Sequence, residues 1–139
     1  MSGNQFQYVK IISNSGQQYE FKDIKDFQIN IKAKMLMVQT EDGEFCFFLD
    51  HLRYSEVGLT PQNATPNFRQ LEIVLVPLLP DQQPEILHVP EVINYDWKVD
   101  NGVLMVFGKT RTMVFHLDQI ISFSLVKNPG PFSKAAGPD

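Results

Sequence analysis

The stretch LMVQTEDGEFCFFLD, Leu36–Asp50, returns downstream as LMVFGKTRTMVFHLD, Leu104–Asp118. Leu36, Met37, Val38, Phe47, Leu49 and Asp50 recur as Leu104, Met105, Val106, Phe115, Leu117 and Asp118, all at one offset of 68 (104 − 36). A frame repeated at fixed spacing points to one supersecondary unit used twice. Carried backwards without gaps, the offset places Ser13–Gly16 on Asp81–Pro84, Phe21 on Val89, Ile24 on Val92, Phe27 on Tyr95 and Ile29 on Trp97. Apolar positions meet apolar positions, and turn signals meet turn signals. The expectation is two modules, residues 6–58 and 74–126, with a polar, Pro-containing connector at 59–73 and a flexible tail at 127–139 whose Phe132 is a possible anchor.

Within each module the apolar period is near two. FQINIK sets Phe27, Ile29 and Ile31 against Gln28, Asn30 and Lys32, the alternation of a half-buried strand. Ser15-Gly16, Asp42-Gly43 and Asn101-Gly102 are dipeptides that accept positive φ in tight hairpins. The sequence therefore predicts an all-β fold: two tandem pseudo-repeated β-meander modules, packed as a sandwich or as a pair of small barrels. Strands are expected at 6–12, 17–22, 27–32, 35–40, 45–50 and 52–57, with equivalents 68 residues later. MLMV and FCFFL in the first module, and VLMVF and MVF in the second, are apolar on both faces. Such strands need cover on both sides, from the other module or from a second subunit.

Composition narrows the functional classes. A 43% hydrophobic, 20% charged chain of 139 residues is globular, and its net charge of −4 gives no general attraction to nucleic acid or anionic membrane. Module one carries six basic and eight acidic residues, module two three and six. One cysteine, Cys46, excludes an intrachain disulfide and suits a reducing compartment, here taken as the cytoplasm. The N-terminus MSGNQFQYVKI lacks the basic and apolar regions of an export signal, and no apolar run approaches the ~18 residues of a membrane span.

No enzyme signature is present. Cys46 sits in an apolar run and reads as a core thiol. His51 and His116 lie near the repeated Asp50 and Asp118, but the two histidines are not equivalent under the offset and His88 stands apart, so no metal site is assigned. Asp50 and Asp118 each follow a strand, where a carboxylate can close an Asx-turn. No catalytic residue and no cofactor are expected.

The copies differ most at the hairpin tip, where TEDGE, Thr40–Glu44, stands against GKTRT, Gly108–Thr112. An acidic tip of Glu41, Asp42 and Glu44 and a basic tip of Lys109 and Arg111 suit a head-to-tail contact between subunits. The reading is a non-enzymatic structural or protein-interaction module that self-associates, as an adaptor or assembly component. The alternative is a single-stranded nucleic-acid-binding β-barrel using Tyr54, Trp97, Phe107, Lys109 and Arg111. A third is a small-molecule binder or enzyme with its site between the modules.

Overall fold

A computed structural model describes residues 6–127. The tail anchor at Phe132 lies outside the described residues. The described chain is all-β, with eleven strands: β1 Phe6–Ser13, β2 Gln18–Lys22, β3 Asp26–Asn30, β4 Met35–Thr40, β5 Gly43–Phe48, β6 Leu52–Leu59, β7 Phe68–Leu75, β8 Glu85–Lys98, β9 Val103–Gly108, β10 Arg111–His116 and β11 Ile120–Lys127. Eight strands form one antiparallel sheet in the order β11-β7-β8-β9-β10-β6-β1-β2, and β3-β4-β5 form a second. Neither sheet closes on itself. No helix among the described residues is long and apolar enough to cross a membrane.

Pairing registers recur down the chain. In the first half Phe27 faces Val38 and Leu36 faces Phe47; in the second Tyr95 faces Val106 and Leu104 faces Phe115, each residue 68 positions on. Turn geometry follows the same spacing. Positive φ occurs at Asp23 (56°) and Glu91 (53°), and at Lys34 (56°) and Gly102 (72°). Lys34 N–H donates to Ile31 O at 3.1 Å, as Gly102 N–H does to Val99 O at 3.0 Å. The short 3-10 turns Leu49–His51 and Leu117–Gln119 likewise correspond.

The offset is not gapless throughout. In β1, Val9 faces Phe21 and Val57; in β7, Leu71 faces Val89 and Leu125, so β7 stands 62 residues (71 − 9) after β1. The six extra residues sit in the β7–β8 loop, and the expected connector is shorter than 59–73 because Phe68–Leu75 is a strand. Its Leu71, Ile73 and Leu75 alternate inward and are buried, a period-two pattern that the forced alignment with Val74 obscured. A second difference is at the kink: β8 runs unbroken through Glu91, whereas β2 and β3 are separate strands around Asp23. That break detaches the three-stranded sheet.

Two apolar cores result. One gathers Val9, Ile11, Ile24, Leu36, Val38, Leu49, Leu52 and Val57 from the first half. The other gathers Leu71, Ile73, Leu75, Val89, Val92, Leu104, Val106 and Phe115 from the second. The strands β6 and β10 join the halves and trade side chains: Val114 enters the first core and Tyr54 the second, where its ring centroid lies 5.3 Å from that of Phe115.

Candidate functional site: the seam and the β5 and β11 edges

β6 and β10 pair antiparallel, Val57 with Thr112, Glu56 with Met113 and Ser55 with Val114. Every residue from Leu52 to Gly58 is buried. A β-strand shows both edges to neighbours, and β6 has both filled, by β1 and by β10. The charged groups of this buried strip are partnered, as desolvation requires, whereas Ser55 Oγ and Arg53 Nε are buried without a hydrogen-bond partner. Arg111 Nη1 lies 3.2 Å from a Glu56 carboxylate oxygen, and the Tyr8 hydroxyl donates to the same carboxylate. The Tyr8 hydroxyl is pushed up to about 12, first by burial and then by its bond to Glu56, whose negative charge opposes a phenolate. Burial also raises Tyr54. Arg53, 1% exposed, reaches out of β6 to Gln119 Oε1 at 3.0 Å and Glu85 Oε1 at 3.3 Å.

Gly58 is fixed by this packing. The Tyr8 ring lies across it, and a Cβ there would fall 2.0 Å from Tyr8 Cε2. The basic tip is held by backbone: Leu59 N–H donates to Thr110 O, Gln62 N–H to Lys109 O, and Lys109 N–H to Glu91 O. Arg111 is thus engaged within its own chain, while Glu41, Asp42 and Glu44 are exposed at the β4–β5 tip.

The outer edges differ from the seam. Among the described strands β5 and β3 end the three-stranded sheet and β11 and β2 end the eight-stranded one, with β2 and β3 flanking the break at Asp23. Counting by 68, β5 corresponds to β10 and β11 to β6, yet their exposure is reversed. Met113 is 2% exposed and its counterpart Phe45 37%; Phe48 is 56% exposed. Cys46, expected as a core thiol, is exposed, because its counterpart Val114 is covered by β6 and nothing within the described chain plays that part for β5. Beside β11, Trp97, Leu117, Ile120, Ile121 and Phe123 line a shallow apolar groove.

The residues proposed for nucleic-acid stacking do not share a surface. Tyr54 is buried in the second core. Trp97 faces Leu104 and Phe107 faces Asn94, three residues apart along the strands, or about 10 Å. Lys109 and Arg111 lie at the Phe107 end, built into the seam.

His116 lies between both repeated aspartates, Nε2 3.3 Å from Asp50 and Nδ1 3.8 Å from Asp118, while Lys34 Nζ is 3.8 Å from Asp50. His51 is exposed elsewhere, its carbonyl accepting from Asn14 N–H. The carboxylate of Asp50 thus turns to His116 across the seam and to Lys34 in its own half. Its 3-10 turn is capped by Phe48 without a side-chain bond.

Comparison with known proteins returns no match to a family model, a curated protein or a solved structure.

Proposed function

We propose that the chain is a non-enzymatic structural module that self-associates, built by internal duplication of a six-strand unit. Each unit is a partly open barrel with its own core, and the two are fused through β6 and β10. The observation carrying this reading is the reversed exposure of corresponding strands: apolar positions buried at the seam are open at the outer edges. Natural sheets blunt long apolar edges with charge, proline or bulges, because unpaired strands recruit other chains. The β5 run GEFCFF holds neither proline nor lysine, and its one charge, Glu44, stands next to the turn, leaving Phe45–Phe48 uncharged. An edge of that composition is explained by a partner. The lone reduced thiol fits a reducing compartment such as the cytoplasm.

Sedimentation velocity at micromolar concentration tests the reading. The expected result is particles at multiples of the 15.9 kDa chain. A single 15.9 kDa species up to hundreds of micromolar would remove it.

A further inference from the structure

We infer that the β6·β10 seam is repeated between chains: β5 of one chain pairs antiparallel with β11 of the next, head to tail. The inference rests on the self-association proposed above and names its surfaces. Subtracting and adding 68 converts the internal register into an intermolecular one. Thr112–Val57, Met113–Glu56 and Val114–Ser55 become Glu44–Leu125, Phe45–Ser124 and Cys46–Phe123.

Three observations support this occupant. First, the receiving surface matches. In the first half Leu49 and Leu52 share a core with Val103 and Val114 from the other half. Their counterparts, Leu117 and Ile120, lie in the open groove with Trp97. The counterparts of Val103 and Val114 are Met35 and Cys46, on the outer face of β4 and β5 with Met37 and Phe48. The face lacking a cover and the groove lacking an occupant are the two halves of one contact.

Second, the charges suit it. Leu59 N–H donates to Thr110 O at the seam, and the corresponding intermolecular atoms are Lys127 N–H and Asp42 O. Exposed Lys127 is thereby set against the acidic tip of Glu41, Asp42 and Glu44. The acidic tip thus meets the end of β11, while the basic tip keeps its place at the end of β6. Third, the internal ion pair of Arg111 with Glu56 has Gly43 and Ser124 as counterparts, so docking leaves neither half of that pair stranded, and the one charge in the paired stretch, Glu44, sits beside the acidic tip that faces Lys127.

Because β5 and β11 are different surfaces, the contact is heterologous, and it closes into a ring or runs on as a filament. An antiparallel ladder alternates hydrogen-bonded and closer, non-hydrogen-bonded pairs. Leu59–Thr110 is of the first kind, so Glu56–Met113 and its counterpart Ser124–Phe45 fall in the second. Facing Cβ atoms there approach to about 4.5 Å, within reach of a disulfide.

The test is cysteine cross-linking of the full chain in a Cys46→Ser background, carrying Phe45→Cys and Ser124→Cys together and each alone, oxidised with glutathione disulfide. Ser124 is exposed, whereas Phe45 is 37% exposed with its ring centroid 4.9 Å from that of Phe21, so Ser124→Cys is expected to keep the parent denaturation midpoint and Phe45→Cys to lower it modestly with the chain still folded. The expected result is a ladder of covalent multimers for the double variant only, with the 45–124 linkage identified by peptide mass. Sedimentation of the unoxidised variants separates the possible failures. Multimers without that linkage, or a covalent dimer from a single variant, overturn the head-to-tail pairing and leave self-association standing. A monomer of the parent chain overturns both.

Discussion

Arg111 on β10 and Glu56 on β6 meet at 3.2 Å across the seam, and Tyr8 on β1 donates to the same carboxylate. Three strands, two of them far apart in sequence, are tied at one buried acid. Arg111→Ala leaves Glu56 without its cation in a site where its side chain is 11% exposed. The expected loss is about 1–3 kcal/mol of stability, the cost of a poorly satisfied buried charged group. Urea titration measures it. Glu56→Gln with Arg111→Met is expected to recover part of the loss, since the uncompensated charge is removed as well.

Gly58 gives a steric prediction. With a Cβ 2.0 Å from the Tyr8 ring, Gly58→Ala forces that ring or the strand to move. A loss of about 1–3 kcal/mol is expected, as for other overpacked sites. Tyr8→Ser in the same chain is expected to make the two changes clearly less than additive by denaturant midpoint. Additive losses would mean that the ring and the glycine do not compete for space.

The pH dependence follows from Tyr8. Its folded value, about 12, lies above the ordinary 10.0, so the folded chain holds a proton that the unfolded chain releases first. The contribution is complete below pH 10 and is lost as pH rises towards 12. Tyr54 is shifted in the same direction, by burial foremost. The urea midpoint is therefore expected to fall across this window, and Tyr8→Phe to make the fall shallower.

Arg53 separates charge from packing. Its guanidinium is buried, but Glu85 is half exposed and Gln119 neutral, so removal leaves no stranded ion. Arg53→Met is expected to change stability by about 1 kcal/mol or less in either direction. Arg53→Ala leaves a cavity and is expected to cost about 2–4 kcal/mol. Thermal unfolding of the two variants distinguishes the cases.

Trp97 is the sole tryptophan, 56% exposed beside the β11 groove. Docking a neighbour there is expected to shift its emission to shorter wavelength, and dilution to reverse the shift. Phe48→Ser, on the opposite docking face, is expected to move that transition to higher concentration.

Much of this architecture was legible because strand signals are local. The bounds of β4 and β9, the start of β6, the glycine turns at Gly43 and Gly102, and the all-β class follow from alternation and turn chemistry within a few residues. The apolar-on-both-faces character of MVF fits a strand covered on both sides, whereas FCFFL is exposed on its outer face. What covers them is non-local. Nothing in MVF states that β6, more than fifty residues upstream, lies beside it, and nothing in FCFFL states that β5 has no such neighbour among the described strands. Cys46, in an apolar run that suggests a core position, is exposed for that reason. Residues 68–73 look like connector in the sequence because the six-residue lengthening of the β7–β8 loop falls between two clear strand patterns and shifts the alignment of one of them. Arg111, expected as a surface charge, is instead a seam residue, because Glu56 reaches it only after β6 and β10 pair.

Amide hydrogen exchange on the wild-type chain tests the repeated seam most directly. By the alternation of the ladder, the outward amides of β5 and β11 are those of Glu44, Cys46, Phe123 and Leu125, counterparts of Thr112, Val114, Ser55 and Val57. The account predicts that these four slow together as concentration rises, towards the protection of their counterparts. Exchange of all four at the rate of open strands, at every concentration, would contradict it.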